Sequence, residues 1–130
     1  MIDPKELRIG NTIYHDGKAV SVFSMSMVDG KMVIVYTFND TDSRTYYEFP
    51  SEFDPILLTS EWLERFGFNK RDDGGSIDWW RGIGKITSDW WVKITEIKDS
   101  NYFFYRSGDH PIKYVHQLQN LYFALTGEEL

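Results

Sequence analysis

The sequence predicts an α+β fold, in which a small antiparallel SH3-like β-barrel or curled sheet is followed by an α-β-β-β-α half, packed around a C-terminal helix. Three observations support this prediction. Two Asp-Gly pairs, Asp16-Gly17 and Asp29-Gly30, each separate runs of strand-forming residues near the N-terminus. The hydrophobic period becomes helical in the middle of the chain, over residues 58–68. It is helical again, and for longer, over residues 114–127.

The N-terminal half, residues 1–57, is expected to contain four or five short antiparallel strands. Asp-Gly is favoured in two-residue hairpins because both central positions of a type I′ turn need a positive φ. The most apolar run, residues 31–38, follows the second Asp-Gly pair, and a polar loop separates it from a strand at residues 44–49. Short strands joined by tight turns favour a small closed or curled sheet.

The second half, residues 58–130, is predicted to begin with a short helix. Thr59 suits the N-cap, and Gly67 lies where a helix often has a left-handed residue after its last turn. A polar segment, residues 69–76, is expected to be a flexible turn. Three strands are predicted after it, at residues 77–83, 90–97 and 102–106. The two halves are expected to share one core.

The C-terminal helix is the strongest helical prediction in the chain. Six apolar residues fall within one arc of roughly 120° at the helical period: Tyr114, Val115, Leu118, Leu121, Tyr122 and Leu125. Gly127 follows the last of them, as a C-terminal cap does. Pro111 suits the first turn, with Asp109 or His110 as the cap, so we expect a helix of about 12–15 residues.

The opposite face of this helix carries no charge, unlike an ordinary solvent face. It contains one histidine, three amides, one phenylalanine and one alanine: His116, Gln117, Gln119, Asn120, Phe123 and Ala124. Two interpretations follow. Either the N-terminal half of the same chain covers this face, or it binds a partner or a second copy of the chain. The candidate binding residues are His116, Gln119 and Phe123.

Two adjacent tryptophan pairs, Trp79-Trp80 and Trp90-Trp91, lie in predicted strands. Because neighbours in a strand point to opposite faces, one tryptophan of each pair is expected to face outward. In the second pair this is Trp91, since Trp90 shares its face with apolar residues; in the first pair it stays open. Outward tryptophans can stack on a base, a nucleotide or a sugar, or anchor a protein. Alternatively, they only strengthen the sheet through cross-strand pairing. The candidates are Trp79, Trp80 and Trp91.

Charge and composition exclude several classes of protein. The net charge is −6, with five basic and nine acidic residues up to Leu57 and nine basic and eleven acidic residues after it. Neither half is basic, so a nucleic-acid partner is not expected. The chain has no cysteine and no apolar run of about 18 residues, which predicts neither disulfides nor a membrane span. Its first residues lack an apolar signal core, so we expect a cytoplasmic location.

No catalytic or metal-binding motif is present. The three histidines, His15, His110 and His116, are far apart and belong to no ligand pattern. Most aspartates lie in turns, where their side chains have a local structural role. We therefore predict no catalytic residue, no metal site and no cofactor, and expect that the chain is not an enzyme.

Three blocks of sequence resemble a group of short proteins encoded by phages and mobile elements of gut anaerobic bacteria. These blocks are Leu7-Arg8-Ile9-Gly10-Asn11 near the start, residues 58–68 in the middle and residues 114–130 at the end. The last block, YVHQLQNLYFALTGEEL, is the most specific. The group carries no assigned activity, so the resemblance implies a phage or prophage setting and no site residue.

Small size, aromatic richness and the lack of a catalytic motif favour a protein that acts by binding another protein, of the host or the phage, and that modulates host machinery. A different possibility is a small-ligand or nucleotide binder that uses the outward tryptophans as a stacking platform. A third is a minor structural component of a virion. A homodimer is compatible with the first of these.

Overall fold

The computed structural model describes residues 2–38, 44–82, 91–98, 100, 102–105 and 110–130. The chain forms two compact units. The first unit comprises Met1–Ile56 and Val115–Asn120, and the second comprises Leu57–Tyr114 and Leu121–Leu130. Each unit is built on one five-stranded sheet in which every described strand pair is antiparallel. The predicted α+β class is confirmed.

The sheet of the first unit is a meander whose last strand returns to the first. Its strands are β1 (Thr12–His15), β2 (Lys18–Val28), β3 (Lys31–Phe38), β4 (Tyr46–Glu48) and β5 (Phe53–Asp54). They lie in the order β4-β3-β2-β1-β5. A 3₁₀ turn, Pro50–Glu52, leads directly into β5. Such a two-residue strand is too short for alternation to reveal it.

The two Asp-Gly hairpins are confirmed. Asp16 and Gly17 have φ values of 53° and 76°, and Asp29 and Gly30 have φ values of 51° and 78°. Both central positions of each turn therefore lie in the left-handed region, as a type I′ turn requires. Beyond the first of these turns, the pairing of β2 with β3 shifts register between Val22 and Ser24, which identifies a β-bulge.

The core of the first unit is formed by residues of four strands and of the N-terminal segment. The buried apolar cluster consists of Ile2, Leu7, Ile13, Val20, Val22, Ile34, Tyr36 and Phe53. Tyr36 is central in it, since its ring lies 5.3 Å from that of Phe53 and 5.7 Å from that of Tyr46. Burial, together with the nearby carboxylate of Glu48, raises the pKa of the Tyr36 hydroxyl.

In the part of the second unit that the structure describes there are five strands, whereas three were predicted. Helix α1 (Ser60–Arg65) comes first, followed by β6 (Asn69–Asp72), β7 (Ser76–Gly82), β8 (Trp91–Ile97), β9 (Tyr102–Tyr105) and β10 (His110–Ile112). They lie in the order β10-β9-β8-β7-β6. The two missed strands are the edges. All four residues of β6 are exposed, so it shows no hydrophobic alternation and is held by backbone pairing to β7.

Helix α2 (Val115–Thr126) is shorter at its start than predicted. Pro111 lies in β10 instead of a first helical turn, a position that suits proline because an edge strand need not donate every backbone N–H. The end is as predicted: Gly127 has a φ of 73°, and its N–H donates to the Phe123 carbonyl at 2.8 Å. Residues 115–120 of the helix belong to the first unit and residues 121–126 to the second.

Candidate binding surfaces

Trp79 is fully buried and is therefore no part of a binding surface, which corrects its place among the candidates. It shares one face of β7 with Ile77, and both are buried. The indole Nε1 donates a hydrogen bond of 3.1 Å to Oε1 of Glu96, a buried side chain of β8. The Lys70 ammonium lies 5.7 Å from the centre of the ring. Trp79 is thus a core residue that also satisfies a buried carboxylate.

Trp80 faces the other way, as the alternation of a strand requires, and 38% of its surface is exposed. The polar residue Asp78 shares its face, which is a signal that the sequence contained for telling the two tryptophans apart. Trp91 begins β8 opposite Gly82. The predictions that Trp91 faces outward and Trp90 inward concern side chains outside the described residues.

An open pocket of about 400 Å³ surrounds Trp80 on the outer face of the second sheet. Among the described residues, four side chains line it: Arg71 on β6, Asp78 and Trp80 on β7, and Lys93 on β8. The strand register brings them together, because Arg71 lies opposite Asp78 and Trp80 lies opposite Lys93. We call these four residues the Trp80 pocket. It combines one aromatic ring, two cations and one carboxylate.

Further aromatic residues follow along the same face of the sheet. Thr95 lies opposite Asp78 on one side and opposite Phe104 on the other, so these three residues share a face. Oγ1 of Thr95 donates to Oδ1 of Asp78 at 3.2 Å. The rings of Phe104 and the exposed Tyr102 lie 6.0 Å apart. The outer face of this sheet is therefore aromatic and polar, unlike the apolar inner face that holds Trp79.

The amides on the uncharged face of α2 bind the N-terminal segment of the same unit. Gln119 is buried: its Oε1 accepts from the backbone N–H of Thr12 at 2.8 Å, and its Nε2 donates to Oγ1 of Thr12 at 3.2 Å. Asn120 accepts from Nδ2 of Asn11 and donates to the Glu6 carbonyl, each at 2.8 Å. Of the two interpretations of this face, coverage by the N-terminal half holds for Gln119, which is removed from the candidate surface.

His116 is also buried and likewise leaves the candidate surface. Its Nε2 lies 3.4 Å from Oε2 of Glu6, whose side chain is half-exposed. Burial lowers the pKa of the His116 imidazole because the charged form loses its hydration, and the hydrogen bond to Glu6 opposes this effect only in part. The ring is therefore held mainly in its neutral form.

This burial predicts a pH dependence of stability. The unfolded chain takes up a proton on His116 near its ordinary pKa of 6.5, whereas the folded chain does so only at lower pH. The contribution of His116 is therefore complete above pH 6.5 and is lost as the pH falls toward the folded-state pKa. We expect the melting temperature to fall between pH 7.5 and 5.5, and to fall less in His116→Gln. Equal slopes in the two proteins would contradict this assignment.

Phe123 differs from the other two residues proposed for this face, since 38% of its surface is exposed. It belongs to the part of α2 that lies in the second unit, where the neighbouring Tyr122 is buried. The Tyr122 hydroxyl donates to the Gly82 carbonyl at 3.3 Å, and its ring lies 5.1 Å from the Arg81 guanidinium. Phe123 therefore stays a candidate contact residue.

The end of the β2–β3 hairpin is an exposed apolar surface that the sequence analysis missed. Residues 26–32 are all exposed and, among the described residues, pair only within the hairpin, since β4 reaches only to Ile34. We call residues 26–32 the methionine arm. Met27 and Met32 lie directly opposite each other and are 64% and 37% exposed. Alternating methionines in a strand resemble a core pattern, which is why this surface was not anticipated.

A second, polar pocket lies at the first hairpin turn and is lined by His15, Asp16, Ser51, Glu52 and Asp54. Nδ1 of His15 lies 3.1 Å from the Glu52 carbonyl, and its ring packs 5.2 Å from that of Phe53. Within the described ranges, no group of three histidine or acidic side chains could hold a metal ion. In the same part of the chain, no helix has the length and apolar character to cross a membrane.

Comparison of the chain with protein-family models, with curated proteins and with solved structures gives no match. The surfaces described above are therefore interpreted from their own chemistry.

Proposed function

We propose that the chain is a non-enzymatic protein-binding module that contacts its partner through the methionine arm. The main support is that the apolar side chains on one face of the β2–β3 hairpin continue beyond the core. Ile34 is buried in the core of the first unit, and its cross-strand partner Met25 packs against that core. Two residues further along each strand, the same face continues with Met27 and Met32, which are exposed. The apolar face of the hairpin thus continues beyond the core of the first unit.

A free two-stranded ribbon is marginally stable in water, and exposed apolar side chains on it gain nothing from solvent. Binding to a partner would bury these apolar side chains, which the fold leaves exposed. Full burial of each methionine would contribute on the order of 1.5–3 kcal/mol. Methionine side chains are flexible and polarisable, so they adapt to apolar grooves of varied shape. An apolar groove on another protein, closed by a polar rim, fits this arm.

The same proposal includes the class of the first unit, which we take to be an SH3-like barrel. Its support is the strand order, in which β5 lies beside β1, and the 3₁₀ turn immediately before β5. A meander whose end returns to its start is how a small sheet approaches closure. The phage or mobile-element setting, which the resemblance implies, and a host or phage protein as the partner, which size and composition favour, stay predictions.

The test is a double variant, Met27→Ser with Met32→Ser. It should melt within about 2 °C of the unmodified chain, because exposed substitutions rarely change stability by more than about 0.5 kcal/mol. In affinity capture from host lysate with quantitative mass spectrometry, the partner retained by the unmodified chain should be depleted at least tenfold, since tenfold corresponds to about 1.4 kcal/mol. Light scattering on the purified proteins separates a second copy from a foreign partner.

The matched control is Leu125→Ser, which removes an apolar side chain of α2 that is 43% exposed. It should retain the partner at the level of the unmodified chain. Equal capture by the methionine double variant, or equal loss in both variants, would contradict a role of the arm.

A further inference from the structure

The Trp80 pocket has side chains that suit a ligand with both a planar aromatic ring and an anionic group. Trp80 offers an exposed indole, and Lys93 lies beside it on the neighbouring strand. Among the described residues Lys93 has no ion-pair partner, and its side chain is exposed. Arg71 is paired with Asp73 at 3.3 Å, but the two side chains are 76% and 45% exposed. Such a pair is worth at most about 1 kcal/mol, so it yields readily to a better anion.

We propose that the Trp80 pocket binds a nucleoside monophosphate. The base stacks on the indole of Trp80, and the phosphate lies between Arg71 and Lys93. Asp78 accepts a hydrogen bond from a ribose hydroxyl or an exocyclic amino group of the base. The volume of about 400 Å³ falls in the range of about 300–1,000 Å³ that is usual for small-molecule sites.

The charges distinguish this ligand from two others. A neutral sugar also stacks on tryptophan, but it has no anionic group that could pair with the two cations. A long single strand of RNA would need a continuous basic path, because its affinity comes from neutralising many phosphates. The chain as a whole has a net charge of −6, and Asp72 and Asp73 follow Arg71 at the end of β6. Two cations and one ring match a single nucleotide.

Asp72 and Asp73 do not compete equally for the two cations of the pocket. Asp72 is held by its own turn: its Oδ1 accepts from the Gly74 N–H at 2.9 Å and its Oδ2 lies 3.3 Å from the Lys98 ammonium. Only Asp73 contacts a pocket residue among the described ion pairs. Among the described ion pairs, phosphate therefore has one carboxylate, that of Asp73, to displace from Arg71.

The experiment is isothermal titration of the full chain with adenosine, guanosine, cytidine and uridine monophosphates. At least one should bind in the micromolar to low millimolar range. Its parent nucleoside and ribose 5-phosphate should each bind at least tenfold more weakly, because each lacks one half of the recognition. Trp80→Ala should weaken binding at least tenfold, and Trp80→Phe by threefold or less, because phenylalanine keeps a stacking surface.

Lys93→Gln should weaken binding of the nucleotide about tenfold and leave binding of the parent nucleoside unchanged. Lys18→Gln, which removes an exposed lysine from β2, serves as the control and should have no effect. A variant is compared only if its melting temperature equals that of the unmodified chain, so that a loss of binding does not reflect a loss of folding. The proposal is overturned if no monophosphate binds at 5 mM (a concentration chosen to exceed about 1 mM, a weak affinity), if Trp80→Ala binds like the unmodified chain, or if only oligonucleotides bind.

Discussion

Replacing Trp79 with alanine is expected to lower the free energy of unfolding of the second unit by about 3–5 kcal/mol. The side chain is fully buried, so its removal exposes no new surface to water and instead leaves a large cavity. It also removes the Nε1 donor that lies 3.1 Å from the buried Glu96 carboxylate. A buried acceptor without its donor costs about 1–3 kcal/mol. Small domains have about 5–15 kcal/mol in total, so this variant approaches the limit of folding.

The neighbouring residue provides the matched control. Trp80→Ala removes the same side chain from the opposite face of the same strand, where 38% of its surface is exposed, and should cost clearly less than Trp79→Ala. Trp79→Phe separates the two parts of the loss, because it keeps most of the volume and removes the donor. Urea unfolding, followed by near-ultraviolet circular dichroism, measures all three. Equal destabilisation by the two alanine variants would mean that the inner and outer faces of the sheet are wrongly assigned.

The features predicted correctly from the sequence are those set by local chemistry. Asp16-Gly17 and Asp29-Gly30 need no tertiary partner to favour a positive φ, and the structure has both turns as predicted. Gly67 and Gly127 mark helix ends for the same reason, with φ values of 83° and 73°. Each of these signals lies within a few residues of the feature it determines.

The features that were missed depend on neighbours in space. Strand β6 consists of Asn69–Asp72, which are all exposed, and only its pairing to β7 makes it a strand. The first turn of the predicted C-terminal helix became β10 because His110–Ile112 found a partner in β9. Intrinsic preference is a weak guide at sheet edges, where backbone pairing decides.

The candidate residues illustrate the same limit. The lack of charge on α2 correctly indicated contact, but not whether the contact was internal, and two of its three candidates, His116 and Gln119, proved to be buried. Met27 and Met32 show the opposite error, because their pattern suggests burial and they are exposed. Their spacing is that of core residues, and only the ends of the flanking strands show that nothing described pairs alongside them. Burial is a property of the whole sheet, which a period of two does not report.

Replacing Gln119 with alanine is the second large effect, and we expect it to lower the free energy of unfolding of the first unit by about 2–3 kcal/mol. Its amide pairs with the backbone N–H and the hydroxyl of Thr12, so the variant leaves a buried backbone N–H without its acceptor. Gln117→Ala removes the same side chain from a half-buried position of the same helix and should cost less.

Hydrogen exchange makes this assignment specific to one bond. In Gln119→Ala the Thr12 amide should exchange much faster than in the unmodified chain, beyond the acceleration expected from the lower global stability. The Val22 amide, which donates to the Asn11 carbonyl at 2.8 Å, is the internal reference and should follow global stability alone. If both amides accelerate equally, Gln119 acts through packing. If Thr12 accelerates more than Val22, a single helix amide secures the start of β1, and the uncharged face of α2 is explained by the fold.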